Sequence, residues 1–214
     1  MRKLSLKKTR ITAICLTASL CCGLFIWTGC SHKDDDGADP VKAAVSVTVK
    51  NLPADPVTYD PNTGAALGGT NRYTFFRFSD SSIVANSDSA SDRWDIGFRG
   101  TDIVINGGTS GPGQTLGEVA DGIFDEITEA PSSGYATDAA TGHIFQNWFN
   151  YDMQTHIVTP LAGQIFFIHT TGGKYVKMEL LSYYQNAPAS PTLTDAARYY
   201  TFRYAIQADG GTKF

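Results

Sequence analysis

Residues 143–156, His-Ile-Phe-Gln-Asn-Trp-Phe-Asn-Tyr-Asp-Met-Gln-Thr-His, hold the densest chemistry in this 214-residue chain. Two histidines (His143, His156), one methionine (Met153) and four aromatics, Trp148 and Tyr151 among them, fall within 14 positions. Neutral imidazole and thioether are the usual protein ligands of haem iron. Aromatic walls with a few placed donors make sites for flat apolar ligands. The segment reads equally well as a hairpin whose aromatic face belongs to the core. The other histidines offer less: His32 is in a polar tract near the N-terminus, and His169 ends an apolar run, Ile165–Ile168. Asp125, Glu126 and Glu129 read as a solvated acidic face, since nothing in the sequence sets two of them across a substrate. No GxSxG, HExxH, Walker loop or GxGxxG opening a helix is present. Gly107–Gly111 follows a strand but leads into more loop, so it reads as a flexible loop rather than a phosphate cradle. The chain is expected to bind rather than catalyse.

The N-terminus bears on where such a site would work. Arg2, Lys3, Lys7, Lys8 and Arg10 precede an uncharged run from Ile11 to Trp27. That order reads as a secretory signal peptide. Thr28-Gly29-Cys30 resembles a bacterial lipobox, which implies cleavage after residue 29 and lipidation of Cys30. The other cysteines, Cys15, Cys21 and Cys22, lie in the segment removed, so no disulfide or cysteine nucleophile is expected in the mature chain. Ser31–Asp36 resembles the lysine-plus-acidic signal of surface-exposed Bacteroidetes lipoproteins, which implies the outer membrane with the protein facing outward. Without residues 1–29 the chain carries 12 basic and 21 acidic side chains, a net charge of −9. Such a surface argues against nucleic acid as a partner.

The elements that must position residues 143–156 read as strands. Val45, Val47 and Val49 alternate with polar neighbours. Arg72–Ser79 places Tyr73 and Phe75 on one face and Phe76 and Phe78 on the other. Arg93–Arg99 places Trp94, Ile96 and Phe98 together, and Asp102–Asn106 returns after a Gly100-Thr101 turn. Residues 79–92 read as a loop. Gln164–Thr170 and Lys174–Tyr184 form a hairpin about Gly172-Gly173, with Val176, Met178 and Leu180 on one face. Arg198–Gln207 is the last strand, and residues 117–130 have room for one short helix. The pattern predicts an all-β antiparallel sandwich with at most one short helix. The expected organisation is a signal peptide over 1–29, a lipidated flexible tether over 30–43 and one β domain over 44–214.

Three segments, in order, are similar to the HmuY-like lipoproteins of Bacteroidetes: Trp94–Ile103 with the glycine loop after it, Gly173–Tyr184, and Tyr199–Tyr204. The resemblance implies a hand-shaped all-β protein that takes up haem. It also implies handover of haem to a TonB-dependent outer-membrane receptor. Family members hold the iron between two axial side chains, two histidines or two methionines. The stretch from Trp148 is similar to the one bearing the second ligand and puts Met153 near that position. The first family ligand lies on a finger insertion, for which this chain has only residues 136–152 between the Pro131–Tyr135 turn and Met153. Geometry leaves two arrangements open. A reversal near Trp148–Asn150 would let His143 face Met153, or His156 would replace Met153. The alternative to haem is a glycan- or protein-binding accessory module of an outer-membrane uptake system.

Overall fold

A computed structural model describes residues 44–214. The expected signal peptide, lipidated Cys30, His32 and the tether over 30–43 lie outside the described residues. Two antiparallel sheets form the body. The larger has five strands: β1 (Val45–Pro53), β13 (Ala197–Gln207), β12 (Tyr175–Tyr184), β11 (Gln164–His169) and β8 (Leu116–Asp121), in that spatial order. The smaller orders β5 (Ser82–Val84), β4 (Thr74–Arg77), β6 (Ile96–Arg99) and β7 (Asp102–Ile105). Two short ribbons stand apart: β2 (Thr58–Tyr59) with β3 (Ala66–Gly68), and β9 (Phe149–Tyr151) with β10 (Val158–Pro160). The one helical element among the described residues is a 3-10 turn at Asn86–Asp88.

Strand alternation fills the space between the sheets. Phe76, Phe78, Ile96, Phe98, Ile103 and Ile105 from the small sheet meet Phe166, Val176, Met178, Leu180, Phe202 and Tyr204 from the large one. Phe76 lies edge-on to Phe202 at 5.5 Å between centroids, the arrangement the ring quadrupoles favour. The unbroken apolar run Ile165–Ile168 is also explained. Ile165 and Phe167 face the outer side with Ala205 of β13, and Phe124 and Ala130 pack against them there. A strand buried on both faces needs no polar alternation.

Four expectations are corrected. Residues 117–130 contain no helix: β8 runs to Asp121, and the chain then crosses the outer face of the large sheet. The carbonyls of Phe124 and Ile127 accept from Lys177 Nζ at 2.7 and 2.6 Å, so they satisfy a buried ammonium instead of a helical ladder. Trp94 does not join Ile96 and Phe98. A bend at Asp95 breaks the period, and Trp94 packs outside the small sheet with Phe75, Val84 and Val104. Residues 79–92 hold β5 as well as loop.

The glycine loop, lastly, is tightly packed. Asn106, fully buried, donates to the Ser91 and Trp94 carbonyls and accepts from Gly113 N–H. A Cβ on Gly111 or Gly113 would strike the Asn106 side chain, and one on Gly108 would strike the Asp138 carbonyl at 1.9 Å.

Candidate functional site at the hairpin of residues 149–160

The aromatic segment divides into a buried root and an exposed tip. Trp148 is 1% exposed and donates its indole N–H to the Thr101 carbonyl at 2.8 Å. Its ring lies among Phe149, Tyr183 and Tyr200. Phe145 meets Phe166 edge-on at 4.9 Å. These two residues fasten the segment to the sandwich, so Trp148 supports the site from below and presents no wall to a ligand.

The chain does not reverse near Trp148–Asn150. Residues 149–151 are extended in β9, and the reversal falls over residues 152–157. Asp152 N–H donates to the Ile157 carbonyl, and His156 N–H donates to the Asp152 carbonyl. The Asp152 carboxylate accepts from Gln154 N–H at 2.7 Å and Thr155 N–H at 3.0 Å. Those backbone bonds hold its pKa below the ordinary aspartate value. His156 closes the turn with φ at 56°, in the left-handed region.

This turn gathers three of the candidate residues. Tyr151 Oη lies 2.5 Å from His156 Nδ1. Met153 stands at the tip, 76% exposed. His143 is elsewhere, half-buried at the start of the preceding turn. The neighbouring amide, Ile144 N–H, is tied to Asp138, whose other carboxylate oxygen accepts from Ile105 N–H. His169 ends β11 with its ring 4.6 Å from Tyr175, and Met178 is fully buried in the core.

An open groove of about 740 Å³ runs along the same hairpin. One wall is Asn150, Asp152, Thr155, Ile157 and Thr159; the other is Pro191–Thr194. Strand alternation puts Tyr151 on the opposite face of β9 from Asn150 and Asp152. The second wall is a turn closed on itself: Asp195 accepts from Thr192 N–H at 2.7 Å and from its hydroxyl at 2.8 Å. That closure leaves Leu193 72% exposed. Beyond Leu193 lies a second groove of about 500 Å³, lined by Pro56, Val57, Tyr59 and residues 193–199. The β2–β3 ribbon beside it exposes Tyr59 and Leu67 and is anchored at its base by Asp55, which accepts from Thr70 and Asn71 N–H. Sequence reasoning missed Leu193, Tyr59 and Leu67. Their signal was an apolar residue inside a Pro/Thr/Asp or Gly-rich stretch with no periodic partners to bury it.

Among the described residues, no cluster of three or more His, Cys, Asp or Glu could hold a metal ion. The donors that fit a haem iron are Met153, His156 and Tyr151, all on one turn. They suit a hold on one face of a macrocycle, not a clamp from both.

The HmuY protein family model matches residues 69–164. Over those 96 of its 214 residues the chain is similar to the HmuY family. The match takes in His143, Trp148, Tyr151, Met153 and His156 and stops short of the opposing wall at 191–194. Among solved structures, the chain is similar to the apo HmuY analog of Tannerella forsythia, at 13% identity and TM-score 0.48, covering 79% of this chain and 99% of that one. It is also similar to a protein from Bacteroides vulgatus named for HmuY-like haem binding, at 14% identity and TM-score 0.46, covering 78% and 93%. A Bacteroides fragilis protein named as a lipoprotein follows at 15% identity and TM-score 0.45, covering 78% and 92%. No curated protein matches the sequence.

Proposed function

We propose that this chain is a lipid-anchored surface protein that binds haem and passes it to a TonB-dependent outer-membrane receptor, without catalysing a reaction. The observation that carries this reading is the coincidence of the segment matched by the HmuY family model with a hairpin that exposes Met153 and His156 at its tip, and Tyr151 on the face away from the groove, next to a ligand-sized groove. Ligand sites commonly enclose about 300–1,000 Å³, and this groove falls in that range. Haem iron supplies an open coordination position. The exposed tip residues Met153 and His156 would hold the iron, and Ile157, Pro191 and Leu193 of the adjoining groove would shield the apolar ring from water. Holding one face leaves the other to a receptor, which eases handover. Lipid on Cys30 would keep the domain at the outer-membrane surface through residues 30–43.

The test is a titration of the purified protein with ferric haem, followed by spectra in both oxidation states. A saturable Soret shift at one equivalent supports the reading. Leu193→Asp, which sets a charge on the groove wall, should weaken binding by about tenfold, since a buried unpaired charge is costly. A second reading has its own observation: the groove walls carry Asn150, Asp152 and four threonines but no nitrogen or sulfur iron ligand. That lining suits a hydroxyl-rich ligand such as a glycan. An absence of any saturable haem shift, together with glycan binding sensitive to Leu193→Asp, would replace the first reading by the second.

A further inference from the structure

We propose that the cavity between the end of β4 and the β11–β12 turn is a site for a neutral sugar, whose neighbouring hydroxyls donate to Asp95 and accept from Arg77 and Arg93. The cavity measures about 310 Å³, at the lower end of the range usual for small-ligand sites. Arg77, Arg93 and Asp95 line it from the segments around β4 and β6, and Thr170, Thr171 and Lys174 from the turn. It is a different place from the hairpin groove. Lys174 immediately precedes β12, whereas the Pro191–Thr194 wall of that groove follows it. The proposal therefore stands apart from the haem reading.

The observation that points to a ligand is the Asp95 carboxylate, which lines the cavity although the residue is only 7% exposed. Its Oδ2 accepts from Phe78 N–H at 2.8 Å, and its Oδ1 has no hydrogen-bond partner among the described residues. A buried acceptor left without a donor costs stability. Phe78 N–H is already satisfied by Oδ2, so the fold draws nothing from Oδ1. A hydroxyl placed in the cavity would supply the missing donor. Thr170, buried at the turn, accepts from Lys174 N–H at 3.1 Å and keeps its hydroxyl proton for a ligand.

The charges around the cavity select the class of ligand. Arg77 is paired with Asp80 and Arg93 with Asp88. Lys174 Nζ donates to the Ala208 carbonyl, and Asp92 brings a further carboxylate to the lining. These cations and carboxylates nearly cancel, so the cavity attracts neither an anion nor a cation. What it offers is hydrogen bonding. Arg77 Nη1 and Arg93 Nε and Nη2 donate to no protein group among the described residues. Burial raises the Asp95 pKa to about 6, so near neutral pH the ionised form prevails and Oδ1 accepts. A sugar hydroxyl both donates and accepts. Adjacent hydroxyls can therefore give to Asp95 and take from a guanidinium at once, while Ile206 meets the C–H face of the ring.

The experiment titrates the ¹⁵N-labelled protein with D-glucose, D-galactose and D-mannose and, separately, with inorganic phosphate, following the backbone amide shifts. At least one hexose should move the amides of Phe78, Asp95 and Thr171 to saturation and leave those of residues 150–159 in place. Phosphate should leave all of them in place. Asp95→Asn should weaken hexose binding by roughly tenfold, since a neutral amide replaces a charge-assisted acceptor. Arg93→Gln, at an exposed position, should weaken it by a similar factor. No saturable shift with any of the three hexoses overturns the proposal, whatever the outcome with haem. So does phosphate moving the same amides, which would make this an anion site. Hexose shifts confined to residues 150–159 would place the sugar in the hairpin groove and overturn it as well. Unchanged hexose affinity in both variants has the same consequence. Should Asp95→Asn misfold, Arg93→Gln decides alone.

Discussion

Asp95 shows how a single residue can carry a cost that the fold elsewhere tolerates. Its side chain is 7% exposed, and one carboxylate oxygen accepts from Phe78 N–H at 2.8 Å. Burial raises its pKa to about 6, against an ordinary 3.8, despite that hydrogen bond and the Arg77 charge. The native carboxyl thus holds its proton more tightly than the unfolded one. Its contribution to stability is fully present below about pH 3.8 and is lost as pH rises through about 6. A shift of this size corresponds to about 3 kcal/mol at most. Asp95→Asn should therefore stabilise the protein near pH 8 by about 2 kcal/mol, roughly 5 °C in Tm, and change little near pH 4. Thermal melts at the two pH values check this; equal shifts at both would contradict the assignment. Tyr151 and His156 belong to the same scale. Their residue types were legible as candidates in the sequence, but their pairing depended on a turn that returns the chain after residue 151.

At the scale of elements, the glycine loop after β7 is a packing device. Gly108 has φ at 62° and lies against the Asp138 backbone, while Asp138 clamps Ile105 and Ile144 N–H from either side. The loop, β7 and the start of the aromatic segment are therefore one unit. Gly108→Ala should lower Tm by roughly 10 °C or prevent folding, because both left-handed strain and a backbone clash oppose it. An unchanged Tm would mean the loop moves freely. The hairpin root follows the same logic: buried Trp148 sets where β9 leaves the sandwich, and the tip inherits that position. Sequence alternation identified β12 and β4 with their correct faces, since Val176, Met178 and Leu180 do share the core, and Phe75 and Phe76 do part to opposite sides. It failed at Trp94 and at residues 117–130, where a bend at Asp95 and the demand of Lys177 for two carbonyls override the local pattern.

On the scale of the whole molecule, three projections crowd one region: the β9–β10 hairpin, the Thr192–Asp195 turn and the strand β13 start with Arg198, which donates to the Asp55 carbonyl at the base of the β2–β3 ribbon. Among the described residues no helix is long and apolar enough to cross a membrane. Membrane attachment is proposed to come from Cys30 alone. Cys30→Ala should move the protein from the membrane fraction to the soluble fraction and abolish incorporation of labelled fatty acid. Retention in the membrane fraction would argue for an uncleaved anchor at residues 11–27.

By itself the sequence determined the class of fold and the two-faced strands, and it singled out the stretch that holds the candidate donors. Those depend on local period and composition, which each strand carries within itself. Only the tertiary structure decided that Trp148 is core, that His143 stands away from the tip, that Tyr151 meets His156, and that Leu193 faces the hairpin across a groove. Each of those facts needs two segments placed against each other. That placement comes from buried polar anchors such as Asp138 and Asn106, whose partners are distant in sequence and follow no period.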